Sequence, residues 1–347
     1  MKAIAAGIPA ALGAALLFGA GTPLAKPLLG AVSPWMLAGI LYLGSGAGLA
    51  AARAARRERG ARLARAEIPW LAGAVALGGV AGPVLLLWGL SGMPASSASL
   101  LLNAEGLLTA LIAWFGFREN FDRRIALGML LIAAGAFLLA WPSSDGFASA
   151  LPALAVLGAC LAWALDNNLT RRVSLADATQ VAMIKGLVAG TVNLVLAIAT
   201  GSRFPSPALV AAGGLLGFVS YGLSLVLFVR ALRALGTART GAYFSIAPFA
   251  GAIISIVLLG DAVTWNLASA AALMAAGLWL HLTEHHAHRH AHEPIEHEHE
   301  HEHDRHHLHE HDEPVAPGVR HSHRHRHEAM THSHEHFPDA HHRHHHH

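Results

Sequence analysis

Histidine stands at positions 297, 299, 301 and 303 and again at 309 and 311, with Glu298, Glu300 and Glu302 between the first four. An extended chain rises about 3.3 Å per residue, so alternate positions share a side about 6.6 Å apart. Imidazoles at that spacing can converge on one ion at ~2.0–2.1 Å. His297, His299, His301, His303, His309 and His311 are therefore candidate metal ligands, and the glutamates supply compensating charge. Neutral imidazole suits zinc, nickel, copper or cobalt without choosing among them. The string HEHEH at 297–301 also matches His-Glu-x-x-His. A metalloprotease needs that motif on a packed helix with a third ligand and a cleft, whereas alternation alone produces it here, so protease chemistry is rejected. Imidazoles with an unperturbed pKa near ~6.5 also allow a pH response, the stretch moving between solution and anionic lipid as it gains charge.

A second set of candidates lies in an opposite solvent. Glu105 and Asn103 sit within LLLNAEGLL, Lys185 within VAMIKGLV, Lys26 in GTPLAKP, and Asp166, Asn167 and Asn168 in ALDNNLTRR. A charge at mid-membrane costs ~2.5–3.5 kcal/mol on insertion scales, so each demands a reason. Glu105 is either a protonatable group that takes a proton, a cation or a substrate amine, or half of a fixed ion pair with Lys185. Lys185 holds a substrate carboxylate, neutralises Glu105, or snorkels to the surface. Pro23 removes a helical hydrogen bond near Lys26, and the DNN run is its counterpart later in the chain. Interrupted or polar segments in corresponding places mark a binding or gating region, or else an interfacial helix end. Tyr221, with Ser220 and Ser224, and Tyr243 present hydroxyls either to a cavity or to a neighbouring helix.

These groups need a scaffold, and the composition describes it. Hydrophobic residues make up 54% of the 347 and charged ones 13%, well below the quarter normal for soluble domains. All 27 histidines lie at or beyond position 281, and 284–347 holds 13 of 22 acidic residues but 6 of 24 basic ones. Two different polymers thus meet near Glu284: a basic apolar body and an acidic tail with too few apolar residues to offset ordering entropy, expected to be disordered without a ligand. Cys160 stands alone, so no disulfide framework or Cys-x-x-Cys site exists.

Ten apolar segments, near 4–24, 33–52, 69–90, 95–116, 125–141, 149–168, 178–200, 207–231, 240–259 and 264–283, are long enough to cross ~30 Å of hydrocarbon. Nine follow the first, which therefore reads as a span and not as a cleaved leader. Thirteen arginines fall in alternate loops, six of them in RAARRERGARLAR at 53–65, while the other loops hold only Lys26 and Arg203. Cationic loops stay in the cytoplasm, so both termini are expected there. Small-xxx-small pairs at Gly44/Gly48, Gly78/Gly82, Gly186/Gly190 and Gly213/Gly217 suit close helix packing.

The body repeats itself. At an offset of 142, Glu119 falls on Asp261, Gly106 on Pro248 and Gly44/Gly48 on Gly186/Gly190; at 145, Lys26 falls on Arg171. Glu105 falls on Ala247, so the scaffold's symmetry does not require it. Five helices per copy is odd, so the second copy enters the membrane from the opposite side. The fold class expected is an all-α polytopic membrane protein, ten transmembrane helices as two inverted five-helix repeats, at 1–141 and 149–283, followed by a His-rich tail at 284–347. Inverted repeats suit alternating access. Glu119 and Asp261, at opposite surfaces, would anchor a loop arginine or cap a helix start.

The strings LLTALIAWFGFRENFDRRIALGMLLIAAGAFLL and PFAGAIISIVLLGDAVTWNLASAAALMAAGLWL, each with an acid thirteen residues after Gly106 or Pro248, resemble the drug/metabolite transporter superfamily of the EamA-like ten-helix type. Asp261 replaces the usual glutamate. The resemblance covers 1–283 and implies a secondary carrier exporting small organic solutes from the bacterial plasma membrane; the tail is no part of it. The expected partners are the lipid bilayer, a small-molecule substrate, a coupling proton and divalent metal ions. A homodimer is left open, and nucleic acid and cofactors are not required. The alternative is a divalent metal or metal-chelate transporter fed by the tail, against which stands a body without histidine before position 281. An enzyme is not expected. Both chain ends should be modified from the same, cytoplasmic, face by membrane-impermeant reagents; ends on opposite faces would refute the paired quintets.

Overall fold

In a computed structural model of the chain, the residues described are 2–57, 63–117, 123–141, 150–170, 173, 178–235, 237–282, 287–292, 296–301, 321–326 and 330–335. They form two units, Met1–Thr283 and Glu284–His347. The first is helical throughout its described elements: α1 (Gly7–Gly30), α2 (Pro34–Ala55), α3 (Arg65–Ser91), α4 (Ala95–Ile112), α5 (Ala126–Ala140), α6 (Leu151–Thr170), α7 (Ala178–Ala199), α8 (Pro207–Leu232), α9 (Arg239–Leu259) and α10 (Trp265–Leu280). Eight are long and apolar enough to span a membrane, and α5 and α10 are shorter apolar helices. With their polar ends included, these two run Arg123–Ala140 and Trp265–Leu282, 18 residues each, or about 27 Å at 1.5 Å per residue.

Local chemistry sets the ends. Pro34 and Pro207 open α2 and α8 directly after Ser33 and Ser206, where proline's missing N–H costs nothing. Gly201 and Gly260 follow α7 and α9 with φ of +80° and +71°, a left-handed turn open to glycine without strain. Large apolar side chains such as Leu130, Phe137 and Val257 face outward and exposed, as lipid allows and water does not. Exposed tryptophans gird both ends: Trp88, Trp141 and Trp265 near the arginine-poor loops, Trp70 and Trp279 near the arginine-rich ones. The Arg124 guanidinium lies over the Trp279 ring, 5.9 Å from its centre.

Glycine contacts report how the two halves meet. A Cβ on Gly39 would strike Leu194, one on Gly190 would strike Leu43, and one on Gly46 would strike Leu187. Positions rising along α2 thus meet positions falling along α7, so these equivalent helices run antiparallel. Gly135 of α5 lies against Met274 and Ala270, and Gly277 of α10 against Ile132 and Gly128. Subtracting 142 converts each set into the other, a two-fold relation written in individual atoms. Helix neighbours obey it too: α3 packs on α6 as α8 packs on α1, and α4 on α6 as α9 on α1.

The helix irregularities are paired in the same way. A π-helical stretch covers Val75–Ala81 in α3 and Phe218–Leu223 in α8; the offset of 142 takes the first to 217–223. A break at Leu102 divides α4, and one at Ser245–Ile246 divides α9.

One continuous apolar core, including Ala25, Leu37, Leu90, Leu101, Val156 and Met274, fills the half nearer the arginine-poor loops. In the arginine-rich half it divides, one cluster joining α3 to α7 through Val173 and another joining α4 to α5 through Leu107 and Met129.

In the second unit, β1 (Ala287–His292) pairs antiparallel with β4 (Met330–Glu335), and β2 (Glu296–His301) with β3 (His321–Arg326). The tail is expected from its sequence to be disordered without a ligand, and these two ribbons are its described part. Strict alternation of residue types gives a period of two, the periodicity of a strand.

Gly44 crosses α8 so closely that a Cβ would lie 2.7 Å from the Cα of Gly214. Overpacking of this kind costs ~1–3 kcal/mol. Gly44→Leu should lower the thermal unfolding midpoint in detergent, and Gly214→Ala, whose Cβ would meet nothing within 4 Å, should leave it unchanged.

Candidate functional site

The break at Leu102 places Glu105 in the first turn of the following helical stretch, Asn103–Phe117, where unpaired N–H groups and the helix dipole favour a carboxylate. Glu105 Oε1 accepts a hydrogen bond from Asn167 Nδ2 at 2.9 Å, and the same nitrogen lies 3.4 Å from Thr109 Oγ1. Asn167 is exposed and Glu105 and Thr109 are half-buried, although all three belong to membrane-spanning helices. A carboxylate and an amide left open to hydrocarbon would be costly.

One residue away the chemistry inverts. Asp166 is buried and receives Lys185 Nζ at 2.6 Å on Oδ1 and 2.5 Å on Oδ2, while the Thr170 hydroxyl donates to Oδ1 at 2.9 Å. Lys185 is thus paired with Asp166 and not with Glu105, because α6 turns Asp166 toward α7 and Asn167 toward α4. Asp166 and Lys185 satisfy each other, and among the described residues Glu105 has no ion-pair partner.

The π stretch of α3 backs this pair. A Cβ on Gly78 would collide with the Asp166 carboxyl group, so only glycine lets α6 lie there. A π turn displaces carbonyls from the α pattern, and in a membrane they must find other donors. Tyr42 Oη donates to Gly78 O at 2.8 Å, Trp163 Nε1 to the same oxygen at 2.9 Å, and Asn193 Nδ2 to Gly79 O at 2.9 Å. Helices α2, α6 and α7 are thereby fixed to α3. Neither Tyr42, Trp163, Asn193 nor Thr109 was singled out in the sequence; the Gly78-Gly79 doublet, together with a tyrosine that is one of three in the chain, was the available signal.

Among the described residues, no side-chain donor to the carbonyls of the matching stretch of α8 takes the place of this clamp. Under the repeat offsets Tyr42 becomes Ile184, Asn193 becomes Ala51 and Trp163 becomes Phe18, none of which donates from its side chain. Ser220 Oγ, buried inside this stretch, has no hydrogen-bond partner among the described residues. Tyr221 beside it meets Phe18 edge-on at 5.9 Å and Tyr42 at 6.0 Å, and Phe18 meets Phe244 at 5.3 Å. A line of rings from α9, α1, α8 and α2 therefore crosses between the halves.

The remaining candidates have other duties. Asn103 Nδ2 donates to Leu100 O at 2.9 Å and lies 3.8 Å from Met274 Sδ, bridging the helix break. Asn168 Nδ2 donates to Ala164 O at 2.8 Å and Thr109 O at 3.4 Å, bracing α6 on α4. Lys26 Nζ donates to Leu90 O at 2.5 Å and Met93 O at 2.9 Å, closing the C-terminal end of α3 far from Glu105. Asp261 accepts from Ser96 N–H at 2.7 Å at the start of α4. Tyr243 is half-buried, one residue before the stacked Phe244. His297, His299 and His301 lie on β2; His303, His309, His311, Arg171 and Glu119 lie outside the described residues.

Removing one partner of a buried pair costs ~3–5 kcal/mol, because a charge is stranded. Asp166→Asn should destabilise the protein by that order in detergent unfolding, and Lys185→Met added to it should recover most of the loss. Tyr42→Phe should cost only about 1 kcal/mol, since Trp163 still satisfies Gly78 O.

Comparisons with known proteins bear on this arrangement. A protein described as an uncharacterized transporter from Methanothermobacter thermautotrophicus is 29% identical over 269 residues, covering 72% of this chain and 78% of that one. A crystal structure superposes with a TM-score of 0.58 at 22% identity, covering 80% of this chain and 96% of the other, a likeness of fold. The pattern of the EamA-like transporter family matches twice, over residues 5–141 and 150–283, the two halves that the glycine contacts relate to each other. The chain is a membrane transporter that belongs to the EamA-like transporter family.

Proposed function

We propose that the protein is a secondary carrier that exports small organic solutes by alternating access, and that the solute bears an amine which exchanges with a proton on Glu105. The observation that carries this reading is the charge arrangement: Asp166 and Lys185 neutralise each other at 2.5 Å, leaving Glu105, hydrogen-bonded to the exposed Asn167, as the carboxyl group without a cation beside it among the described residues. An amine and a proton compete for one carboxylate, which is the condition for exchange. The nearby rings of Tyr221 and Tyr42 offer apolar and cation–π surface to the rest of the solute.

With the arginine-rich loops in the cytoplasm, Asn167, near the end of α6 that leads into them, would meet solute on that side, as export requires. The unclamped π stretch of α8 is the segment freer to reorganise as the halves rock. Carboxylate and amide oxygens suit protons and amines better than nickel or zinc, so metal is placed at the tail, which binds divalent ions without being part of the path.

Purified protein in liposomes should move organic amines in response to an imposed pH gradient, and Glu105→Gln should abolish that dependence. Truncation after Glu284 should leave organic flux unaltered. Proton-driven flux that survives Glu105→Gln would sink the reading.

A further inference from the structure

Two carboxylates of the site share a local pattern. Asp166 is followed four residues on by Thr170, and Glu105 by Thr109, a spacing that stacks the two side chains on one face of a helix. In the first case the pattern is filled: the Lys185 ammonium donates to Asp166 Oδ1 at 2.6 Å and Oδ2 at 2.5 Å, and the Thr170 hydroxyl donates to Oδ1 at 2.9 Å. In the second, no cation is paired with Glu105 among the described residues. We propose that the group recognised there is a primary ammonium, held by oxygens of Glu105, Asn167 and Thr109, and that a quaternary ammonium is discriminated against. The inference rests on the reading that an amine exchanges with a proton on Glu105, and it names which kind of amine.

Hydrogen-bond direction carries the argument. An ionised carboxylate only accepts, so the Asn167 amide must turn its NH2 edge toward Glu105. Both N–H bonds are then engaged, one with Glu105 Oε1 at 2.9 Å and the other with Thr109 Oγ1 at 3.4 Å. What the cluster has left is acceptor capacity: Glu105 Oε2 and Asn167 Oδ1 have no hydrogen-bond partner among the described residues, and the Thr109 oxygen keeps a second lone pair. A primary ammonium brings three donors and no acceptor. A quaternary ammonium brings the charge without a donor and would leave these oxygens unmet.

The helices hold the three residues in register. Asn168 Nδ2 donates to Thr109 O at 3.4 Å and to Ala164 O at 2.8 Å, bracing α6 on α4 beside the cluster, while the Asp166–Lys185 pair ties the same turn of α6 to α7. A Cβ on Gly106, next to Glu105, would meet nothing within 4 Å, so the backbone beside the carboxyl group leaves room. The arrangement is also single: under the offset of 142, Glu105 and Thr109 fall on Ala247 and Gly251.

The test uses full-length protein in nanodiscs with two probes, ethanolamine and choline, which differ by the three methyl groups on choline's nitrogen. Affinity is read from the rise in unfolding temperature with probe concentration. Ethanolamine should bind roughly ten-fold or more tightly than choline, the factor set by a lost hydrogen bond to a charge. Asn167→Leu and, separately, Thr109→Val should narrow that ratio by weakening ethanolamine more than choline. Equal affinities in the unaltered chain, or variants that weaken both probes alike and keep the ratio, would overturn the primary-ammonium cradle while leaving amine binding at Glu105 intact. Binding of neither probe, or binding of both that is indifferent to Glu105→Gln, would remove the underlying reading as well.

Discussion

Hydrocarbon offers no partner to a stray carbonyl, and that constraint organises the centre of the molecule. Where α3 widens into its π stretch, the oxygens of Gly78 and Gly79 leave the helical ladder and must be met by side chains from elsewhere. Tyr42, Trp163 and Asn193 meet them. Because those residues belong to α2, α6 and α7, one local loosening of backbone binds four helices into a unit. Asp166 follows Trp163 by less than a turn and Lys185 precedes Asn193 by about two turns, so the ion pair is placed by the same hydrogen bonds.

The two-fold relation explains the frame, and its violations explain the site. Glycines at equivalent positions let equivalent helices cross antiparallel, and the π stretches and helix breaks are copied along with them. The charges of the candidate site are not copied: Glu105 matches Ala247, and Lys185 matches Leu43. Duplication supplies a π stretch in each half; side chains from three helices meet the carbonyls of one, and in the other Ser220 has no hydrogen-bond partner among the described residues.

Spans, repeat and inversion were legible in the sequence because they depend on hydrophobic length, loop charge and residue types recurring at a fixed offset. Glu105 stood out for the same reason, an acid in an apolar run with no copy. What escaped was rotational. Whether Lys185 meets Glu105 or Asp166 depends on which way α6 turns two adjacent residues, and no spacing encodes that. The π stretches leave no compositional mark beyond a glycine doublet, so the importance of Tyr42 and Trp163 was invisible. For the tail, low apolar content and strict alternation pull in different directions, the first against a packed core and the second toward strands.

A centre with one uncopied acid is also something only a fused chain can have. Two identical five-helix chains, one inverted against the other, would bring two such acids, whereas this chain brings one, Glu105, with Ala247 in the other seat. In a pair of identical chains any substitution at one seat appears at the other, so a lone carboxylate beside an apolar counterpart becomes available only once the two copies are joined and free to differ.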